Sequence, residues 1–269
     1  MITTPDEAAV LAALHTLRAT PPPGFTEGVL ARVGLPADVD DFVMAAGPAG
    51  PIFVAFNAAG ICHVLAAHVV DGDPERYAAV HRERFGRPAR AATTKAPAGL
   101  EAALRTGRTR KLTFDLRGRS EFEQAVLRKA LDIPRGELRP YGWVAREIGR
   151  PNAVRAVGSA LGHNPVPVLI PCHRVVRADG AIGDYVFGSE MKRTLLDTED
   201  LDVAETERLA RSGVRYVGSD TTNIFCFPTC RHARRITGPH RVPFRRPEEA
   251  AGAGYRPCAD CRPSEASAA

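Results

Sequence analysis

Most of the chemistry open to this 269-residue chain belongs to its six cysteines, which fall into distinct arrangements. Cys172 closes an apolar run, NPVPVLIPCHRVV over residues 164–176, between Pro171 and the pair His173-Arg174. A thiol becomes a nucleophile when its thiolate is stabilised, and an imidazole able to take its proton is one standard way of doing so. Consecutive side chains diverge unless the backbone turns, so the residues alone leave an inert buried cysteine open as the alternative. Cys226-x3-Cys230 and Cys258-x2-Cys261 form two close pairs with 27 residues between them. One such pair would read as a redox dithiol; two meet the tetrahedral, thiolate-rich preference of zinc. Cys62 precedes His63 in a strand-like run. Neighbours in a strand face opposite ways, so Cys62 reads as a buried structural thiol and not as half of a metal site.

The elements that must position these groups read as a mixed α/β chain of the α+β kind. A leader with Val10, Leu11, Leu14 and Leu17 on one helical face over residues 7–19 ends at the PPPG of 21–24. The runs 51–56 and 61–66, joined by Asn57-Ala58-Ala59-Gly60, form a hairpin. Asp73 and Pro74 open a helix over 73–86. A further helix lies near 98–106, and KLTFDL at 111–116 reads as a strand. Ser120-Glu121-Phe122-Glu123 is a capping box.

PYGWVAREIG puts Val144, Ala145 and Ile148 inward. PNAVRAVGSALGHN puts Ala153, Ala156, Val157, Ala160 and Leu161 on one stripe, ended by Gly162. The two helices, joined at Gly149-Arg150-Pro151, have a helix-turn-helix outline in which the second would read a nucleic acid. Arg155 and Ser159 face away from the stripe. The segment 166–170 is too apolar for a surface loop and too proline-rich for a central strand, so it should be buried and stiff.

The cations are 32 Arg and 4 Lys, giving a net charge of +5. Arginine's planar fork suits phosphate, which makes nucleic acid a plausible partner, although an Arg-rich coding bias gives the same excess. No stretch has the length and apolarity to cross a bilayer, and the opening MITTPDEAAV lacks the pattern of a secretory signal. Those features, with cysteines clustered as for a metal, point to a cytoplasmic protein of a bacterium.

NPVPVLIPCHRV resembles the active-site signature of the O6-alkylguanine-DNA alkyltransferases. The resemblance runs outward through FDLRGRSEFEQAVL, RPYGWVAREIGRPNAVRAVGSALGHN and GAIGDYVFGSEMKRTLLDTE, over roughly residues 45–200. It implies a helical, winged-helix-like catalytic domain that binds double-stranded DNA containing O6-alkylguanine. Cys172 would accept the alkyl group in a single turnover, and His173 would take the thiol proton through a water. Glu199 would orient His173, and Asn164 would brace the loop before the thiol. The base must leave the duplex, at roughly a few kcal/mol. Arg155 would fill the space it leaves, Tyr141 would contact the guanine edge, the Val175 carbonyl would meet its amino group, and Tyr185 would wall the pocket. Val186 stands where a polar or basic residue is commoner, which bears on alkyl preference. The reading helix would enter the minor groove, whose degenerate code suits a protein that finds lesions in any sequence.

DTTNIFCFPTCRHARRIT and EEAAGAGYRPCADCRP are similar to the zinc domain of Ada-type adaptive-response proteins. This resemblance implies zinc held by Cys226, Cys230, Cys258 and Cys261, with Cys226 as a second acceptor, for methyl groups on DNA phosphotriesters. Here the domain follows the alkyltransferase instead of preceding it, Phe227 replaces a common arginine, and no regulator module adjoins it, which disfavours methylation-switched transcription. Arg231, Arg234, Arg235, Arg241, Arg245, Arg246, Arg256 and Arg262 would face DNA.

The sequence thus predicts a helical leader (1–35), an α/β domain (36–117), a catalytic domain (118–200), a connector (201–217) and a small four-cysteine zinc domain (218–269). No organic cofactor, membrane or obligatory protein partner is implied. The rival readings are a non-catalytic lesion-binding repair protein and a zinc-containing DNA-binding regulator.

Overall fold

A computed structural model describes residues 39–93 and 95–264, and the leader over 1–35 lies outside them. Strand β1 (Asp40–Gly47) pairs antiparallel with β2 (Gly50–Asn57), and β2 with β3 (Gly60–Ala66). The short β4 (Ala89–Ala91) adds in parallel to the free edge of β1, giving the order β3-β2-β1-β4. The hairpin expected at 51–66 is present. Its turn is closed by Asn57 Oδ1, which accepts from the Ala59 amide at 2.8 Å. Gly60 at φ 133° lets the chain pass within reach of Thr113, whose carbonyl oxygen would lie 2.5 Å from an added Cβ. Helix α1 (Pro74–Phe85), capped by Asp73, lays Tyr77 and His81 on this sheet, Tyr77 stacking on Phe53 at 4.6 Å.

The strand expected at 111–116 does not form. These residues meet β3 through a single parallel bridge, Ile61 to Phe114. The ladder stops because Asp115 is drawn into a polar cluster with Asn57 (2.9 Å) and Arg117 (2.7 Å).

After α2 (Leu100–Thr106), helix α3 (Glu121–Leu131) opens on the expected capping box. Ser120 Oγ accepts from the Glu123 amide at 3.3 Å, and Glu123 Oε2 accepts from the Ser120 amide at 2.9 Å. Strand β5 (Arg139–Pro140) leads into α4 (Tyr141–Glu147), which α5 (Val154–Gly162) follows. The apolar stripe on α5 is narrower than its sequence suggests. Val157, Ala160 and Leu161 are buried, whereas Ala156 is exposed and Ala153 sits at the N-cap. On a nine-residue helix packed along one side, the flanking small residues are left outside. On α4 it is Trp143, Val144 and Ala145 that are buried, with Ile148 only partly so.

These helices share one core with β3 and with the segment 164–172, including Ile61, Val64, Val157, Val166, Leu169 and Ile170. The Val64 amide donates to the Pro165 carbonyl at 2.9 Å, which ties the sheet edge to that segment. A 3-10 turn at Cys172–Arg174 precedes β6 (Val175–Val176), which pairs in parallel with β5. Helices α6 (Ser189–Thr198) and α7 (Val203–Arg211) follow.

The C-terminal region is a second four-stranded sheet, in the order β10-β8-β7-β9. It consists of β7 (Tyr216–Ser219), β8 (Ile224–Cys226), β9 (Arg241–Phe244) and β10 (Arg256–Pro257), with α8 (Pro247–Gly252) against it. Phe225, Phe244 and Ala250 are its own buried core. No helix among the described residues is long and apolar enough to cross a membrane.

Candidate active site and metal centre

The expected rigidity of the segment before Cys172 has a visible cause in Asn164. Its Nδ2 donates to the Ile170 carbonyl at 3.0 Å and to Cys172 Sγ at 3.1 Å, while its Oδ1 accepts from the Val166 amide at 3.0 Å. One side chain therefore ties both ends of the loop and touches the thiol. Between these ties Val168 adopts φ 73°, a left-handed conformation costly for a β-branched residue. The strain sits four residues before Cys172, and the bonds of Asn164 on either side hold it.

In the 3-10 turn, no direct hydrogen bond joins Cys172 and His173 among the described residues. His173 Nε2 instead lies 2.9 Å from Glu199 Oε1. The same carboxylate accepts from Arg174 Nη2 at 2.7 Å, from Arg174 Nε at 2.9 Å, and from the Gly136 amide at 3.1 Å. Burial alone would raise the Glu199 pKa, but the bonds from His173 and Arg174 outweigh it and hold the carboxyl at about 2. Glu199 is thus ionised, and only a protonated Nε2 can donate to it. Burial pushes the His173 pKa down, which keeps the ring neutral, so the lone pair falls on Nδ1. That Nδ1 is buried with no hydrogen-bond partner. A buried acceptor without a donor suits a base awaiting a proton.

Burial also pushes the Cys172 thiol up, opposed by the Asn164 amide, the charge of Lys192 and the Tyr185 hydroxyl. Lys192 is fully buried on α6, where Nζ donates to the carbonyls of Val175 (2.8 Å) and Ile182 (2.5 Å). Burial lowers its own pKa to about 8. The sequence reading did not single out Arg174 or Lys192. Arg174 stands in the motif beside Cys172 and could have been found there. Lys192, in SEMKRTLL, reads as an ordinary solvated helix cation.

The residues that the sequence reading expects to contact the base are placed as follows. Tyr185 packs edge-on to His173 at 6.2 Å between centroids, and its hydroxyl is buried without a hydrogen bond of good geometry. Tyr141 is half-buried at the first position of α4. Val175 is buried, and its carbonyl already receives Lys192, which leaves one lone pair. Arg155 is exposed on the outer face of α5 and forms no ion pair among the described residues.

Cys226, Cys230, Cys258 and Cys261 are all buried, with their sulfurs within 4.8 Å of one another. Sulfurs about 2.3 Å from a tetrahedral zinc fit inside that spread. Beside them a cavity of about 560 Å³ is lined by Cys226, Thr221, His232, Arg235, Arg256 and Asp260. Of the basic residues expected on a DNA surface, Arg231 pairs with Asp260, Arg246 with Glu249, and Arg262 with Glu147 of α4. Asp40, Cys62 and His81 also bring ligand-type atoms within 4.8 Å. There, however, the Asp40 carboxylate is already occupied by Asn57 (2.7 Å), His81 (2.8 Å) and Arg87 (2.9 Å), and Cys62 is a buried thiol of that network.

Comparison with known proteins divides the chain at the same place as these two centres. Residues 121–201 match the family model of the 6-O-methylguanine DNA methyltransferase DNA-binding domain, and residues 204–264 match the metal binding domain of Ada. The chain is 51% identical over 86 residues to a methylated-DNA–protein-cysteine methyltransferase of Mycobacterium bovis, covering 32% of this chain and 52% of that protein. It is 45% identical over 80 residues to an inducible methylated-DNA–protein-cysteine methyltransferase of Bacillus subtilis, covering 30% and 45%. It therefore spans about half the length of the curated relatives it matches. A solved structure of the Mycobacterium tuberculosis OGT in complex with DNA is 31% identical, over 60% of this chain and 93% of that one, with a TM-score of 0.46. The chain thus carries a domain of the 6-O-methylguanine DNA methyltransferase DNA-binding family, followed by a domain of the Ada metal-binding family with its four cysteines clustered.

Proposed function

We propose that the protein repairs alkylated DNA by direct reversal, moving the alkyl group of O6-alkylguanine onto Cys172 in a single turnover. The observation that carries this reading is the buried, partnerless Nδ1 of His173, whose Nε2 is fixed by Glu199, in the same motif as a buried thiol. Cys172 Sγ attacks the alkyl carbon, a carbon–sulfur bond forms as the carbon–O6 bond breaks, and guanine O6 leaves as an anion that is then protonated. The thiol proton passes to His173 Nδ1 by way of one water. Asn164 and Lys192 stabilise the developing thiolate. A thioether is not readily reversed, so each chain acts once.

On this reading α4 and α5 are a helix-turn-helix in a winged-helix-like domain on double-stranded DNA. The exposed face of α5, with Val154, Arg155, Ala156 and Ser159, is small enough for a minor groove. Arg155 replaces the extruded base in the stack, Tyr141 and Tyr185 hold that base, and the remaining lone pair of the Val175 carbonyl meets its amino group. The α/β unit and the catalytic domain keep the limits of the sequence reading, 36–117 and 118–200, but the expected connector at 201–217 is too long, because β7 of the small sheet already begins at Tyr216.

The cavity beside Cys226 favours a second activity at the metal centre, transfer of a methyl group from a DNA phosphotriester. Zinc suits the four-thiol donor set and, when bound, keeps the sulfurs deprotonated without a general base. Cys226 Sγ attacks the methyl carbon and the phosphodiester leaves as an anion, near Arg235 and Arg256.

Incubating the full chain with duplex DNA containing O6-methylguanine, followed by peptide mapping by mass spectrometry, tests the first activity. Methylation of Cys172 is expected; a bound lesion with an unmodified Cys172 would make the protein a lesion-binding factor instead. DNA bearing only methylphosphotriesters should label Cys226, and zinc-loaded protein that takes no label there reduces the metal domain to a structural role.

A further inference from the structure

We propose that the four-cysteine metal centre is also a positioning element of the Cys172 site, acting through a buried seam between its ligand loops and the β5–α4 corner. This rests on the direct-reversal reading. The Trp143 indole donates to the Cys261 carbonyl at 3.0 Å. The Leu138 amide donates to Thr229 Oγ1 at 2.8 Å, and the Arg231 amide donates to Glu137 Oε1 at 3.1 Å. The Arg139 guanidinium, paired with Glu137 Oε2 at 2.5 Å, lies over the rings of both Phe227 (5.4 Å) and Trp143 (5.6 Å). Glu137, Arg139, Trp143 and Thr229 are all buried.

Each of these contacts comes, on the metal side, from a ligand or its immediate neighbour. Phe227 follows Cys226, Thr229 and Arg231 flank Cys230, and the remaining acceptor is the carbonyl of Cys261 itself. These loops have little core of their own, so their course depends on four thiolates converging on one ion. On the catalytic side the same corner reaches the alkyl site by two routes. Arg139 pairs with Val175, three residues beyond Cys172, and α4 begins at Tyr141, two residues before Trp143. Holding the corner therefore fixes both the Val175 carbonyl and the Tyr141 ring. A base displaced slightly from in-line geometry reacts more slowly even when it still binds.

Trp143 is the only tryptophan of the chain and so reports on the seam by fluorescence. The test compares zinc-loaded, chelated and reloaded full-length protein. It reads Trp143 emission together with the single-turnover rate of methyl transfer to Cys172 at saturating and sub-saturating O6-methylguanine DNA. Chelation should red-shift the emission and lower the saturating rate by at least about 10-fold, and reloading should restore both. Two loaded variants guard against global unfolding: Trp143→Phe keeps an aromatic ring but loses the indole N–H, and Thr229→Ala loses the hydroxyl. Each should retain zinc and lower the saturating rate about 5- to 10-fold with little change in DNA affinity, and Thr229→Ser should recover most of it. A shifted emission with an unchanged rate after chelation, or wild-type rates in both loaded variants, overturns the proposal alone. Loaded wild-type protein that transfers nothing to Cys172 overturns the direct-reversal reading and the proposal with it.

Discussion

On the proposed reading, the two cysteine centres make a buried sulfur nucleophilic by opposite means. At Cys172 a single thiol is held neutral by burial, and its reactivity must come from a base that stands ready but uncharged. Glu199, Arg174 and the Gly136 amide form a network that serves His173 and never touches the sulfur. At Cys226 four sulfurs crowd within 4.8 Å, an arrangement that a bound cation favours and a general base cannot supply. On that reading the first centre waits as a thiol until a base is extruded into it. The second would depend, on the same reading, on a cation held by its four sulfurs.

The sharpest way to break this contrast is His173→Gln. Transfer to Cys172 should slow by about 10²- to 10⁴-fold, while labelling of Cys226 by methylphosphotriester DNA stays near wild type. Equal loss at both cysteines in quantitative mass spectrometry would show that the centres do not differ in this way. Next in size is Glu199→Gln, which leaves the buried Arg174 guanidinium without its counter-charge and should cost about 3–5 kcal/mol in urea unfolding. It should also change the acid limb of stability. Because Glu199 is held at about 2 in the folded chain against an ordinary 4.5, its contribution is complete above pH 4.5 and is lost as pH falls through about 2. The variant should show a flatter pH dependence in that window; an unchanged acid limb would mean that other carboxylates set it.

Smallest, and confined to the metal side, is Gly218→Ala. An added Cβ would sit 2.6 Å from the Tyr255 ring and 2.8 Å from the Phe244 ring, so the small sheet must shift, at about 1–3 kcal/mol. Weaker zinc retention in a chelator competition is the expected result. Unaltered retention would show that the ring pair is not what shapes the ligand loops.

Local rules made much of this architecture legible in the sequence. The Asn57–Gly60 turn, the Asp73 cap with Pro74 and the Ser120–Glu123 capping box each depend on residues a few positions apart, and each stands where the sequence puts it. The failures share a cause as well. KLTFDL has a strand's composition, yet Asp115 is claimed by Asn57 and Arg117 and the ladder ends after one bridge. Ala156 fits the apolar period of α5 but has nothing to pack against. The inner strand β1 and the edge strand β4 escaped notice because β1 is buried only toward its start and β4 is three half-buried or exposed residues.

By itself, then, the sequence determined which residue types stand together along the chain: a thiol after a stiff apolar run, two cysteine pairs at metal spacing, and helices with capped ends. These are short-range properties, fixed by covalent geometry and periodicity. Only the tertiary structure decided which nitrogen of His173 is free, because that depends on a carboxylate 26 residues away and on the arginine that keeps it ionised. Only it decided, too, that Lys192 is buried with its ammonium on the Val175 and Ile182 carbonyls, and that the single tryptophan donates its N–H to a carbonyl of the four-cysteine cluster 118 residues later. Such long-range pairings carry no local pattern, since the backbone, not the sequence spacing, brings the partners within hydrogen-bond reach.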